Sequence, residues 1–303
     1  VLTILGPTAS GKTALAARAA YEFDGEVISA DSRQVYRGMS IGTGKDLSDY
    51  IVNGKDVPYH LIDIAEPGYE YNIFEYQRDF LKAYRDILSR GKLPVLCGGS
   101  GMYLESVLKQ YKLKETKAGK DSYNILSKKT DEELKEMLFS LKTPHNTTDL
   151  IDRNRMIRAI LISMAPDEKP GETVFPEQIP SRIFGIHWER AMIRERITKR
   201  LEDRLEHGMI EEVRELMNRG LTSDQVKFYG LEYRYITLYL ENNLDYNEMV
   251  RLLNIAIHQF AKRQMTWFRK MEKKGMKIFW LDGSASPEKN LEKIRQKIFL
   301  NIG

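Results

Sequence analysis

Apolar and polar positions along the chain fall into two textures. Short apolar runs at 2–5, 26–30 and 93–97 are each followed by a glycine-rich or polar turn and then by a helical pattern. Such runs predict buried parallel strands, and 60–64 is a candidate fourth. Asn72 stands where a helix cap belongs, and the periodic segment behind it runs to Arg90 and stops at Gly91, with Pro94 beyond. Alternation of strands and helices predicts an α/β fold, a parallel sheet with helices on both faces. Ligands in such sheets sit beyond the carboxyl ends of the strands.

From 112 the texture changes. Residues 112–120 read as a basic linker, and Thr130-Asp131-Glu132-Glu133 as a capping box opening a helix to Leu141. A second helix is expected over 148–164, then a loop rich in proline (Pro166, Pro170, Pro176, Pro180). This segment is read as a small helical insertion. A strand at 183–188 returns to the core, and helices follow at 191–207 and 210–218. In the first of these, Ile193, Ile197, Leu201 and Leu205 recur every four residues and predict one buried stripe. A long basic helix over 246–274, a strand at 277–281 and a helix at 287–302 complete the chain. The expected organisation is 1–111 as the first part of the core, 112–186 as the insertion, and 187–303 as the second part of the core.

The 303 residues leave room for two domains. No segment approaches the ~20 apolar residues of a membrane span. The opening residues carry no basic n-region, so no secretory signal is expected. A single cysteine, Cys97, excludes a disulfide scaffold and a cysteine-based zinc site, and the five histidines have no ligand spacing. A reduced, cytoplasmic protein follows, with a monomer as the simplest state. The net charge of +4 is uneven: residues 258–277 hold seven basic side chains against one acid, Glu272, with Trp267 and Phe268 between them. Such a stripe suits a polyanion, and equally a solvated basic helix.

Gly6-Pro7-Thr8-Ala9-Ser10-Gly11-Lys12-Thr13 fits G-x4-G-K-[ST] between a strand and a helix. Its backbone N–H groups would cradle a di- or triphosphate, Lys12 would add charge, and Thr13 could hold Mg²⁺. The core is thus P-loop NTPase-like. An NTPase or kinase also needs a strand ending in a Mg²⁺-holding Asp. The strand at 93–97 ends instead in Gly98-Gly99-Ser100-Gly101. Asp31, at the end of 26–30 and followed by Ser32-Arg33-Gln34, could be a metal-shell group, a general base or a structural cap. Ser100 is either a second phosphate contact or a plain helix cap. Cys97 has no histidine near it in sequence to activate it, and His60 is read as a structural histidine.

Together GPTASGKT at 6–13, DSRQVY at 31–36 running into RGMSIGT, HLIDI at 60–64, GGSGMY at 98–103, RMIRA at 155–159 and FAKRQMTWF at 260–268 carry a resemblance. The chain resembles the tRNA dimethylallyltransferases (tRNA isopentenyltransferases) over nearly its whole length. The resemblance implies transfer of a dimethylallyl group from dimethylallyl diphosphate to N6 of the adenine 3′ of the anticodon. The P-loop would then hold a diphosphate leaving group, with Mg²⁺ as cofactor. It also implies Asp31 as general base and Ser100, where threonine is usual, as a diphosphate contact beside Lys12. The tRNA-contacting segments correspond to Asp31, Ser32, Arg33 and Gln34, and to Asn154, Arg155 and Arg158. Lys262 and Arg263 would grip RNA phosphates.

Three departures stand out. Gly44 replaces the common alanine, and Asp46 replaces proline after Lys45. Lys227 stands where the family has a phosphate-contacting arginine, and the insertion around 112–147 matches only loosely, so no residues are carried over there. Rival readings are an adenylate isopentenyltransferase acting on a free nucleotide, a P-loop small-molecule kinase and a non-catalytic RNA-binding protein. The insertion and the basic stripe favour tRNA over a mononucleotide.

Overall fold

The computed structural model describes residues 1–113, 120–141, 153–164, 175 and 179–299. The elements run β1 Leu2–Leu5, α1 Lys12–Glu22, β2 Gly25–Ala30, a 3₁₀ turn Leu47–Tyr50, and the short strands β3 Ile51–Val52, β4 Lys55–Asp56 and β5 Tyr59–His60. Then come α2 Ile73–Ser89, β6 Leu93–Gly98, α3 Gly101–Leu108, α4 Lys120–Ser127, α5 Asp131–Leu141 and α6 Arg153–Met164. The last part holds β7 Arg182–His187, α7 Arg190–Glu206, α8 Met209–Asn218, α9 Ser223–Phe228, α10 Leu231–Leu240, α11 Tyr246–Lys273, β8 Ile278–Asp282 and α12 Pro287–Phe299.

Six parallel strands form the sheet in the order β5-β2-β6-β1-β7-β8. β1 lies between β6 and β7, with Leu5 opposite Gly98 and Gly185. β2 ends level with β6, Ala30 opposite Gly98. The carboxyl ends of β1, β2 and β6 therefore open side by side, and every phosphate or carboxylate motif lies just beyond one of them. One face, bearing Leu2, Ile4, Val27 and Val95, packs on Leu15, Ala16 and Ala19 of α1 and Ile294 of α12. α2 packs on β2 and β6 from the other side, burying Tyr76, Phe80 and Ile87. Its start is the expected one: Asn72 accepts from the Phe74 and Glu75 N–H groups, and Glu75 reaches back to the Asn72 N–H. A separate apolar cluster joins Ile197 and Leu201 of α7 to Val213, Val226, Tyr233 and Leu253, which ties α7 through α11 together.

The chain divides into two compact units, Val1–Gln110 with Glu177–Gly303, and Tyr111–Pro176. The second boundary lies before the expected 186, because β7 is a central strand of the sheet. In the smaller unit Leu134, Leu138, Met156, Ile157 and Ile160 form a core of their own. The Thr130–Glu133 capping box is present. Most of the expected linker, the start of the 148–164 helix and the end of the 287–302 helix fall outside the described residues.

Several expectations change. Residues 60–64 are not a strand: pairing stops at His60, and Leu61 and Asp63 take positive φ. The buried Lys45 ammonium instead bonds Asp63 Oδ1 at 2.5 Å and the Tyr36 carbonyl, so the segment is fastened by a side chain. α4, α9, α10 and the β3–β4 hairpin were not legible. α4 and α9 are 8 and 6 residues long, too short to establish a helical period.

Candidate active site

The P-loop, the turn after β2 and the turn after β6 line one cleft of about 1190 Å³, closed on its other sides by α7, α9, α10 and α11. The P-loop turn leads into α1, whose first-turn N–H groups have no intrahelical acceptor and carry the positive end of the helix dipole. Two other loop amides are already engaged. The Thr8 N–H donates to Gln264 Oε1 at 2.9 Å, and the Ser10 N–H to the Pro7 carbonyl at 3.3 Å. Ser10 Oγ is buried without a hydrogen-bond partner among the described residues. Among the described residues the Lys12 ammonium has only a long contact to the Pro7 carbonyl, 3.4 Å. Desolvation lowers its pKa, opposed by Cys97 and Asp31. A half-enclosed cation without a carboxylate in contact is a place for an anion.

Asp31 follows β2 directly. Its Oδ1 accepts the Arg33 N–H at 2.9 Å, which leaves Oδ2 without a protein partner among the described residues. Ser100 is held against it: its hydroxyl accepts the Ser32 N–H at 3.0 Å and lies 3.3 Å from Ser32 Oγ. Ser100 thus joins the ends of β2 and β6 and makes no side-chain cap to α3. Gln34 lines the cleft with both amide ends engaged, Oε1 with Ser29 at 3.2 Å and Nε2 with the Gly44 carbonyl at 3.0 Å. The Arg33 guanidinium lies 5.0 Å from the Phe228 ring centroid.

Four basic side chains that sequence reasoning missed enter from α7: Arg196, Lys199, Arg200 and Arg204. Arg196 donates to the Ala9 carbonyl at 2.9 Å and stacks on Trp188, whose Nε1 donates to the Ser10 carbonyl. Arg200 and Arg204 both bond Asp46, at 2.5 and 3.4 Å. Gly44 makes the space: a Cβ there would lie 2.3 Å from Arg204 Nη2 and 2.9 Å from Arg200 Nη2. Its φ of 70° also favours glycine. The two departures at 44 and 46 therefore form one structural unit with α7. Their signal lay in the four-residue spacing of the arginines, parallel to the apolar stripe. Glu232 also lines the cleft, its pKa raised by desolvation.

Lys227 lines the cleft too, but its ammonium is paired with Glu241 at 2.8 Å. Lys262 and Arg263 are exposed on α11, and Arg263 borders the cleft. Arg158 is exposed on α6, in the smaller unit. The Asn154 and Arg155 side chains lie outside the described residues. Cys97 is buried, and burial pushes its thiol up to about 12, which leaves it inert. His60 bonds Glu26 at 2.7 Å, as a structural histidine should.

Comparison with known proteins points the same way. A family profile described as IPP transferase matches residues 34–271, and one described as isopentenyl transferase matches residues 1–56. The chain belongs to the IPP transferase family. Members similar to it include tRNA dimethylallyltransferase 2 of Bacteroides fragilis, 54% identical over 98% of this chain and 97% of that one. Another is tRNA dimethylallyltransferase 1 of Parabacteroides distasonis, 53% identical over 96% and 95%. Among solved structures, a full-length tRNA isopentenylpyrophosphate transferase from Bacillus halodurans superposes with a TM-score of 0.70 at 30% identity, covering 98% of this chain and 94% of that one. A eukaryotic dimethylallyltransferase acting on tRNA shares the fold, with a TM-score of 0.77 at 23% identity, over 98% and 77%. Among the described residues no helix is long and apolar enough to cross a membrane.

Proposed function

We propose that this chain transfers a dimethylallyl group from dimethylallyl diphosphate to N6 of the adenine 3′ of the anticodon in tRNA, releasing diphosphate. The observation that carries this reading is the meeting of two phosphate-type turns with the free oxygen of Asp31 in one cleft. The turn after β6 carries no carboxylate for phosphoryl transfer.

The first turn of α1 and Lys12 hold the diphosphate and stabilise the charge that develops on it as the allylic C–O bond breaks. The N6–C bond forms as the N6 proton passes to the Asp31 carboxylate, a general-base contribution of roughly 10²–10⁴-fold. Ser100 keeps the Asp31–Ser32 turn against the end of β6. Mg²⁺ fits this donor set in one manner. No group of three or more His, Cys, Asp or Glu that could hold a metal gathers among the described residues. Mg²⁺ binds through few protein ligands plus substrate phosphates, so Thr13 with diphosphate oxygens and water would hold it. Bound there, it would neutralise the leaving group.

Arg33, at the cleft, and the exposed cations of α11 and α6 supply RNA contacts, phosphates setting position and the Asp31–Gln34 neighbourhood meeting the base. The adenine would be turned out of its stack to reach the cleft. The test is mass spectrometry of tRNA incubated with the chain, dimethylallyl diphosphate and Mg²⁺. The expected result is one dimethylallyl mass increment on the adenine beside the anticodon. Efficient prenylation of free AMP, with tRNA the poorer acceptor, would replace this reading with the adenylate-type enzyme.

A further inference from the structure

Gln264 is a polar side chain, 7% exposed, in the middle of α11. Burying an amide is costly unless its ends are bonded. Here both ends are used, and on different loops. Oε1 accepts the Thr8 N–H of the P-loop, and Nε2 donates to the Gly99 carbonyl of the turn after β6, each at 2.9 Å. The partners fix the amide orientation, since a backbone N–H needs an acceptor and a carbonyl needs a donor. Gly99 leaves room for it: a Cβ there would lie 2.4 Å from Gln264 Nε2.

The two turns leave adjacent strands whose pairing ends at Leu5 and Gly98. Beyond that point the sheet no longer sets their separation. The Thr8 N–H bound by Gln264 is also withheld from a ligand, which leaves the anion to the other loop amides and the first turn of α1. We propose that Gln264 is a positioning residue for the donor site, holding the P-loop and the second turn at the spacing a diphosphate requires. It does so from the helix that carries Lys262 and Arg263. This inference rests on the dimethylallyl-transfer reading for its substrate, although its test does not need the acceptor.

The test uses the full chain with Gln264→Glu and Gln264→Met. Inorganic diphosphate with Mg²⁺ is titrated calorimetrically, and the donor KM and kcat are measured with dimethylallyl diphosphate and tRNA. Near pH 8 both variants should weaken diphosphate binding and raise the donor KM by roughly 10- to 100-fold, the cost of a displaced catalytic loop, with tRNA affinity changed less than about twofold. On lowering the pH towards about 6, Gln264→Glu should recover relative to wild type at the same pH. A buried carboxyl protonates early, and its O–H then donates to Gly99 while its C=O accepts from Thr8. Gln264→Met, with neither group, should not recover.

Two outcomes overturn the proposal. One is wild-type diphosphate affinity in either variant at an unchanged melting temperature. The other is a Gln264→Glu defect that ignores pH. If Gln264→Met does not fold, the pH profile of Gln264→Glu decides alone. A wild-type chain whose diphosphate affinity depends on Gln264 but which never modifies tRNA would defeat the transfer reading and leave the positioning role intact.

Discussion

Asp31→Asn separates two things the Asp31 carboxyl does. Oδ1 shapes the turn by accepting the Arg33 N–H at 2.9 Å, and Oδ2 is the oxygen that the proposed general-base role assigns to the adenine amine. Asparagine keeps the first oxygen and replaces the second with an NH₂ that cannot take a proton. The fold should therefore stay within about 0.5 kcal/mol of wild type, as for a substitution that breaks no buried contact. Transfer should fall by ~10²–10⁴-fold, or about 2.7–5.4 kcal/mol of barrier at ~1.36 kcal/mol per decade. Asp31→Ala also removes the turn bond, so it should lose a further ~0.5–1.5 kcal/mol of stability. One confounder is built into the site. Asp31 is among the groups that hold up the pKa of Lys12 against desolvation, so losing its charge also weakens the anion site's cation. The assay is thus single-turnover transfer to tRNA read by mass spectrometry, paired with titration of inorganic diphosphate. Turnover of Asp31→Asn within about tenfold of wild type would refute the base role, set against the ~10²-fold minimum. A rate loss matched by an equal loss of diphosphate affinity would move the role of Asp31 to the electrostatics of Lys12.

Three further outcomes are expected. Neutralising Lys262, Arg263, Arg269 and Lys270 should flatten the salt dependence of tRNA binding by about 0.7–0.9 log–log units per lost phosphate contact; an unchanged slope in filter binding would assign these exposed side chains to solvent. Glu26 is nearly buried; desolvation alone would raise its pKa, but hydrogen bonds from His60 and Arg90 outweigh it and the net shift is downward. Its contribution to stability is then full above the unfolded carboxyl pKa, about 4.3, and is lost as pH falls through the lower folded value, so Glu26→Gln should melt with a shallower acid limb by circular dichroism. Replacing 111–176, a compact unit that contains no phosphate-binding motif, with a short Gly/Ser linker should leave diphosphate binding in place and sharply reduce modification of tRNA. Full activity on tRNA in a folded deletion variant would remove that unit from substrate recognition.

The chain order announced much of this protein. The buried strands are continuous apolar runs because both sheet faces are covered, so β1, β2, β6, β7 and β8 could be read directly. The caps at Asn72 and Thr130 were legible because a cap is a local contact between residues three apart. The P-loop was legible because its spacing is dictated by one strand, one turn and one helix. Asp31 and Ser100 stood out only as polar residues at apolar run ends, and their roles came with the resemblance.

What the tertiary structure alone decided are the contacts between residues far apart in sequence. Nothing near residue 264 says that its amide meets Thr8, 256 residues away, and Gly99, 165 away. Arg200 and Arg204 read as the polar side of an amphipathic helix until Asp46, 154 and 158 residues away, gathers them into the cleft through the gap left at Gly44. Lys227 looked like an available cation until Glu241 paired with it. A sequence carries hydrophobic periodicity and local turn chemistry because these act over a few residues. Which charge neutralises which depends on how the strands are ordered and how α7 and α11 lie across their ends, and only the assembled sheet fixes that.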